Sequence, residues 1–428
     1  MTDFTKILLP KLAAHRLDGF LLDEDMQAPF YQGHCLANLP ASICAWLGRE
    51  EWPTVPLDES YARPFRRQYD QVILLVVDGM GLELFQKGSA DESAESRLWQ
   101  NLLAESCLFP LTSIVPSTTS AALTSFWTGR TAAEHGILGY EMWLREFNLA
   151  ANMITQSPAF FEGAVGSLRQ AGFDPSRFLT VPTLGPFFKQ AGVETFALQH
   201  NAIARSGLST MLFDQVQSVP FRGLNDLSTT LEELACTETM QKRYIYAYWG
   251  DLDELQHVYG PNDLRVQQEF RSLQRAMIRL FTHLKQNVHK KTLVLVTADH
   301  GQKQTQVLSE YNVNQAEDFI DCLHLLPTGE SRLPYLHIRP GYAERVREIV
   351  ETRWPGKFLL LSSDQAASVG LFGPTPYHTE LFSRLGDLIL IARKDAYLYW
   401  PQKENSLKGR HGGLSRSEML TPLLIFDC

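Results

Sequence analysis

Carboxylate and imidazole side chains stand at the ends of apolar runs in this chain, a combination suited to holding divalent metal ions. Asp78 ends the run in VILLVVDGMG, and Asp299 and His300 end the run in LVLVTADHG. Asp253 and His257 lie four apart in YWGDLDELQHVYGP, and His411 lies in GRHGGLS. Residues four apart on a helical turn share a face, so Asp253 and His257 can hold one ion together. Asp251 and Glu254 compete on residue type, and the spacing to His257 favours Asp253. Adjacent Asp299 and His300 reach one ion only from an irregular turn, because neighbours on a regular strand point apart. The stretch VPSTTSAALTSFWTG adds the hydroxyls of Ser117, Thr118, Thr119 and Ser120 ahead of a helix over 120–127. That helix would present its N-terminal amides and dipole to a phosphate. A hydroxyl oxygen is weak at its free pKa and is activated beside a divalent metal. Two ions about 4 Å apart stabilise both oxygens of an in-line phosphoryl displacement. Taken singly, each feature has a plainer reading: a turn for Asp78, a hydrogen-bonded cap for Asp253 and His257, an N-cap for the hydroxyls, a surface loop for His411.

The elements that must position these residues are short buried strands. Gln71–Val77 runs into Asp78, Tyr244–Trp249 into Gly250 and Asp251, and Thr292–Val296 into Thr297, Ala298 and Asp299. Continuous apolar runs of this kind read as strands buried on both faces of a largely parallel sheet. Between them lie amphipathic helices. Over 262–283 and just beyond, Val266, Phe270, Leu273, Met277, Leu280 and Leu284 follow steps of four and three. Alternation of strand and helix predicts an α/β fold, in which ligands gather at the carboxyl ends of the strands. Two regions read as additions. Glu141–Gln156 has a hairpin-like pattern around Asn148, and 302–402 carries its own strands and helix. The expected organisation is a catalytic core of residues 1–301 plus 403–428, with 302–402 as an inserted α/β lobe covering the site.

Composition narrows the class. At 428 residues, 44% hydrophobic and 20% charged, the chain has the make-up of a globular enzyme with ample core material. A net charge of -9 argues against broad nucleic-acid binding, so no stable nucleic-acid complex is expected. The N-terminal stretch lacks the apolar run of a secretory signal, and no segment of 18 or more apolar residues predicts a membrane span. The six cysteines are scattered and form no CxxC pair, which fits a reducing, cytoplasmic setting and not a cysteine zinc site.

The five stretches, with their order and flanks, resemble the alkaline phosphatase superfamily, in its type I phosphodiesterase/nucleotide pyrophosphatase branch, from about Val72 onward. YWGDLDELQHVYGP is similar to that branch well beyond Asp253 and His257. The GGLS and EMLTPL segments after His411 resemble the closing segment of the superfamily, including its phosphoglycerate mutase branch. The resemblance implies an alkaline-phosphatase-like three-layer sandwich around a mainly parallel sheet, with a smaller inserted α/β cap lobe. Counted back from Thr128 and Gly129, it maps the nucleophile to Thr119. It implies that Asp253, His257 and His411 hold one ion, and that Asp78, Asp299 and His300, with Thr119, hold the other. Zinc suits the mixed His/Asp set, with manganese or iron as alternatives. A phospho-threonine intermediate would form on Thr119, and water would release it.

The resemblance departs at Ala122, where nucleotide pyrophosphatases typically carry Asn, and at Ser117, where many relatives carry Lys. Both departures bear on the choice of substrate. The expected function is two-metal hydrolysis of a small phosphate-containing substrate, a phosphodiester or nucleotide pyrophosphate. Alternatives are a phosphomonoesterase or phosphonate hydrolase with the same metals, and a non-catalytic, metal-stabilised interaction protein. Retention of all six ligand types counts against the last. Among the remaining residues, His135 reads as a packing group below the site and Arg130 as exposed. Trp127, Tyr140 and Trp143 are candidates to line a base pocket, with core packing expected for at least one.

Overall fold

A computed structural model describes residues 2–49, 52–89, 94–160 and 163–428. Its largest sheet has eight strands, ordered Thr2–Asp3, Cys107–Thr112, Leu420–Asp427, Thr292–Thr297, Gln71–Val77, Lys242–Trp249, Val193–His200 and Gln217–Phe221. Leu420–Asp427 runs antiparallel to both of its neighbours, and the other pairings are parallel. The sheet is therefore mainly parallel, as the apolar runs predict.

Every residue of Gln71–Val77 is buried. Side chains alternate across the sheet, so Val72, Leu74 and Val76 enter one core while Ile73, Leu75 and Val77 enter another. The first core holds residues of the helices Leu39–Trp46, Thr119–Thr128 and Leu184–Gln190. The second holds those of Leu224–Cys236 and Leu264–Asn287. In Leu264–Asn287 the buried side chains include all six of the predicted stripe. A strand with an apolar core on each face gives three layers, the alkaline-phosphatase-like arrangement.

A second sheet of seven strands runs Phe358–Ser362, Leu388–Ala392, Leu333–Leu336, Thr328–Glu330, Glu141–Leu144, Leu149–Asn152 and Ser157–Pro158. The two segments that read as separate additions thus share one sheet, joined where Gly329 pairs with Glu141. A lone two-stranded hairpin is marginal in water, so the 141–152 hairpin gains its support from this pairing. Asn148 turns it with a φ of 52°, a left-handed conformation that Asn tolerates. Lys303–Gln304 and Gly409–Arg410 pair antiparallel, so the chain enters and leaves the 305–408 segment side by side.

Candidate metal centre and nucleophile

Register brings the candidate residues together. Val76 lies opposite Thr297 and Val77 opposite Trp249, so three central strands end at one level. Asp78 leaves its strand with its N–H donating to Trp249 O at 2.8 Å, and Gly79 turns with a φ of 69°. Asp299 and His300 follow Thr292–Thr297 on a turn packed against Ser417 O, which would lie 2.1 Å from a Cβ at Gly301. Asp253 and His257 sit on the helix Asp251–Tyr259, four apart as predicted, with Asp253 Oδ2 and His257 Nε2 3.2 Å apart. Asp251 and Glu254 are exposed.

The hydroxyl row resolves by contact. Ser117 Oγ donates to Gly413 O and Ser120 Oγ to Gly139 O, while the Thr118 hydroxyl faces Glu330. Thr119 begins the helix Thr119–Thr128, one residue earlier than the sequence pattern suggests. Its Oγ1 lies 3.3 Å from Asp78 Oδ2 and 3.2 Å from His300 Nε2. Thr118 is the N-cap residue but makes no side-chain cap hydrogen bond, so the row is not an ordinary capping cluster.

Ligand atoms of Asp78, Asp299 and His300 lie within 4.8 Å of one another, and so do those of Asp253, His300 and His411. His300 thus faces both groupings. His411, which taken singly reads as a surface-loop residue, is buried and stacks on His300 with ring centroids 3.9 Å apart. The centroid of His257 is 5.0 Å from that of His411.

All three imidazoles are held the same way. Nδ1 of His257 faces Gly409 O at 2.9 Å, Nδ1 of His300 faces Gly301 O at 3.1 Å, and Nδ1 of His411 faces Ser117 O at 3.1 Å. A carbonyl oxygen only accepts, so each Nδ1 carries a proton and Nε2 is the atom each ring turns toward the carboxylates, with its lone pair available when the ring is neutral. Metal-ligating histidines are oriented in this way. The carboxylates are braced as well. The Tyr248 hydroxyl donates to Asp78 Oδ2, the Gly79 and His300 N–H groups donate to Asp299 Oδ1, and Gln302 Nε2 donates to Asp253 Oδ1 as well as to the Asp253 backbone carbonyl. Asp78 Oδ1 and Asp299 Oδ2 are buried with no hydrogen-bond donor. They lie 3.4 and 3.5 Å from His300 Nε2.

Burial, with the charges of Asp299 and Asp253, pushes the Asp78 carboxyl well above the usual range, and burial with Asp253 raises Asp299 to about 7. At Asp253 burial also acts upward, but the His257 charge outweighs it and holds the carboxyl low. Burial opposes the protonation of His257, yet Asp253 lifts it to about 9. Buried carboxylates packed this closely are unfavourable as anions unless cations compensate them. Undonated oxygens and Nε2 lone pairs converging on one region therefore fit divalent ions.

Several expectations change with the coordinates. Ala122 is fully buried within the larger apolar core, three residues after Thr119 on the same helix. Ala122→Asn is expected to cost about 1–3 kcal/mol by burying an unpaired amide. Relative turnover of a diester and a monoester should not change, and a shift in that ratio would refute this placement. Trp127 is core, whereas Tyr140 is 39% exposed. His135 is buried below the site, with Nε2 near Ser125 Oγ at 3.2 Å. Arg130, expected to be exposed, is half-buried and pairs with Glu134 at 2.8 Å. Sequence reasoning missed Tyr248, Gln302 and Glu330. Only Tyr248 had a signal, its place near the end of a strand that leads into the acidic turn.

The profile of the type I phosphodiesterase/nucleotide pyrophosphatase family matches residues 72–414. Among solved structures, murine ectonucleotide pyrophosphatase/phosphodiesterase 5 superposes with a TM-score of 0.61 at 16% identity, covering 83% of this chain and 87% of that one. An inactive variant of the same murine protein in complex with AMP gives 0.60, also at 16%, with coverage of 83% and 87%. Phosphonoacetate hydrolase from Sinorhizobium meliloti 1021 in complex with phosphonoacetate gives 0.59 at 16%, covering 82% and 89%. These likenesses establish a common fold. No curated protein matches the chain in sequence. No helix among the described residues is long and apolar enough to cross a membrane.

Proposed function

Because this chain belongs to the type I phosphodiesterase/nucleotide pyrophosphatase family, a family of divalent-metal-dependent hydrolases, we propose that it cleaves phosphodiester or nucleotide pyrophosphate bonds through a phospho-threonine intermediate on Thr119. The observation that carries this reading is the common orientation of His257, His300 and His411, each with Nδ1 on a backbone carbonyl. We assign Asp253, His257 and His411 to one ion and Asp78, Asp299 and His300, with Thr119, to the other, zinc being the best match to the mixed ligand set. Such ions supply positive charge at the attacking and leaving oxygens.

The chain's own residues do the rest. Thr119 Oγ1 forms the bond to phosphorus, and the bond to the ester oxygen breaks with its electron pair leaving on that oxygen. The proton lost by the hydroxyl balances the proton gained by the leaving alcohol. Water then attacks phosphorus, returns a proton to Thr119 and frees the phosphate product. The first amides of the Thr119 helix face the transferred group. Tyr248 and Gln302 hold the carboxylates of Asp78 and Asp253 in place.

The lobe of residues 302–402, extended by the 141–158 strands that share its sheet, is the proposed cap over a small phosphate-containing substrate. Six unpaired cysteines suit a reducing compartment, which favours the cytoplasm. The test compares a chromogenic phosphodiester with the matching monoester, using protein before and after chelation. Chelation is expected to lower diester turnover by about a thousandfold, which is several kcal/mol of transition-state stabilisation, and added zinc should restore it. Turnover that survives chelation sinks the metal reading. A monoester preference moves the assignment to a phosphatase.

A further inference from the structure

Glu330 belongs to the lobe, at the end of the strand Thr328–Glu330, yet its side chain reaches out of the lobe into the core. It is 7% exposed and makes three contacts in different segments. Its Oε1 accepts from Tyr140 N–H at 2.6 Å, and the Thr118 hydroxyl faces the same carboxyl. Its Cβ and Cγ lie 2.4 and 2.5 Å from where a Cβ on Gly412 would be. Gly412 has a φ of 100°, so any side chain there would be strained as well as obstructed.

Thr118 precedes the nucleophile, and Gly412 follows His411. These two segments already meet at Ser117 O, which accepts from Gly412 N–H at 3.0 Å and from His411 Nδ1 at 3.1 Å. Glu330 packs on this junction, its Cβ, Cγ and Cδ closing the space beside Gly412 and its carboxyl facing Thr118. We propose that Glu330 is the positioning residue through which the lobe fixes Thr119 relative to His411. The lobe is then part of the machinery that aligns the centre, in addition to being a cover. The inference rests on the phosphoryl-transfer reading for Thr119, while its bearing on His411 stands apart from turnover. Burial pushes the Glu330 carboxyl up to about 8, against the opposing bonds from Thr118 and Tyr140. A protonated carboxyl near neutrality is matched in shape and bonding by an amide.

The test titrates cobalt(II) into metal-free wild type, Glu330→Ala and Glu330→Gln, following the ligand-field absorbance, and measures kcat and KM on the phosphodiester. Glu330→Ala is expected to weaken one of two cobalt sites and to lower kcat, each by about 10–100-fold, with KM within about threefold and Glu330→Gln close to wild type in every readout. Thr118→Val removes the polar group facing Glu330 from the core side and should reproduce the kcat loss if Glu330→Ala does not fold. Wild-type cobalt affinities and kcat in Glu330→Ala, with only a lower melting temperature, would overturn the proposal. So would a Glu330→Gln variant as impaired as Glu330→Ala. Cobalt sites that depend on Glu330 in a protein that hydrolyses no ester would refute the proposed function and leave the link to His411 intact.

Discussion

Thr119→Ala is expected to lower phosphodiester kcat by about a thousandfold or more while the metal content stays at the wild-type level. The size of the effect follows from the lack of a substitute. The hydroxyls of Ser117 and Ser120 donate to Gly413 O and Gly139 O, and that of Thr118 faces Glu330. Only Thr119 presents its oxygen to Asp78 and His300, at 3.3 and 3.2 Å. Alanine is the best helix former, so the first turn of Thr119–Thr128 should not be disturbed. Loss of turnover then reports chemistry and not folding. Thr119→Ser keeps the oxygen and should recover much of the rate, the deficit reflecting the freer serine rotamer. Steady-state kinetics beside elemental analysis of bound metal distinguishes the outcomes. An alanine variant within about tenfold of wild type would mean that water attacks directly, which removes the covalent intermediate.

The parts of this molecule that depend on local pattern were legible in the sequence. Gln71–Val77 is apolar throughout because both of its faces meet a core, and its end coincides with Asp78. The stripe of Leu264–Asn287 and the four-residue spacing of Asp253 and His257 depend on helical periodicity alone. What stayed hidden depends on contacts between distant segments. Nothing near His411 shows that Ser117 O, 294 residues away, will hold its Nδ1. His411 was placed in the site by resemblance, against its local reading. Glu330 lies in an unremarkable TGESRLPYL stretch, and its reach to Thr118 appears only when the lobe docks. The lobe itself was read as two separate additions because the pairing of Glu141 with Gly329 spans 188 positions of chain. Ala122 carried weight in the sequence as a missing polar group. A helix starting at Thr119 places that position, three residues on, in the larger apolar core.

Arg332→Met should be the most destabilising single replacement in the lobe, by about 3–5 kcal/mol, because it strands a buried carboxylate. Arg332 and Glu418 are each 0% exposed, with Arg332 Nε 2.7 Å and Nη2 2.9 Å from the two Glu418 oxygens. Arg332 also donates to Ala396 O and Lys394 O, and Glu418 accepts from Gly413 N–H and Ser415 N–H. The pair therefore ties the lobe to the loop that follows His411. Burial alone would raise the Glu418 carboxyl, but the Arg332 charge and hydrogen bonds outweigh it and hold it below its ordinary value of 4.5. A depressed folded pKa contributes stability that is present above 4.5 and is lost as pH falls through the folded value. Without Arg332 the sign reverses: burial raises the carboxyl, and the folded state favours protonation. The stability gap between wild type and Arg332→Met should then be widest near neutral pH and narrow in acid. Adding Glu418→Gln to Arg332→Met keeps an acceptor for Gly413 N–H but removes the charge, and should return about 1–3 kcal/mol near neutral pH. Urea unfolding midpoints of the single and double variants at pH 5 and pH 8 measure both effects. A gap that does not vary with pH, together with no recovery in the double variant, would show that Arg332 acts through packing and its carbonyl bonds alone, without charge compensation at Glu418.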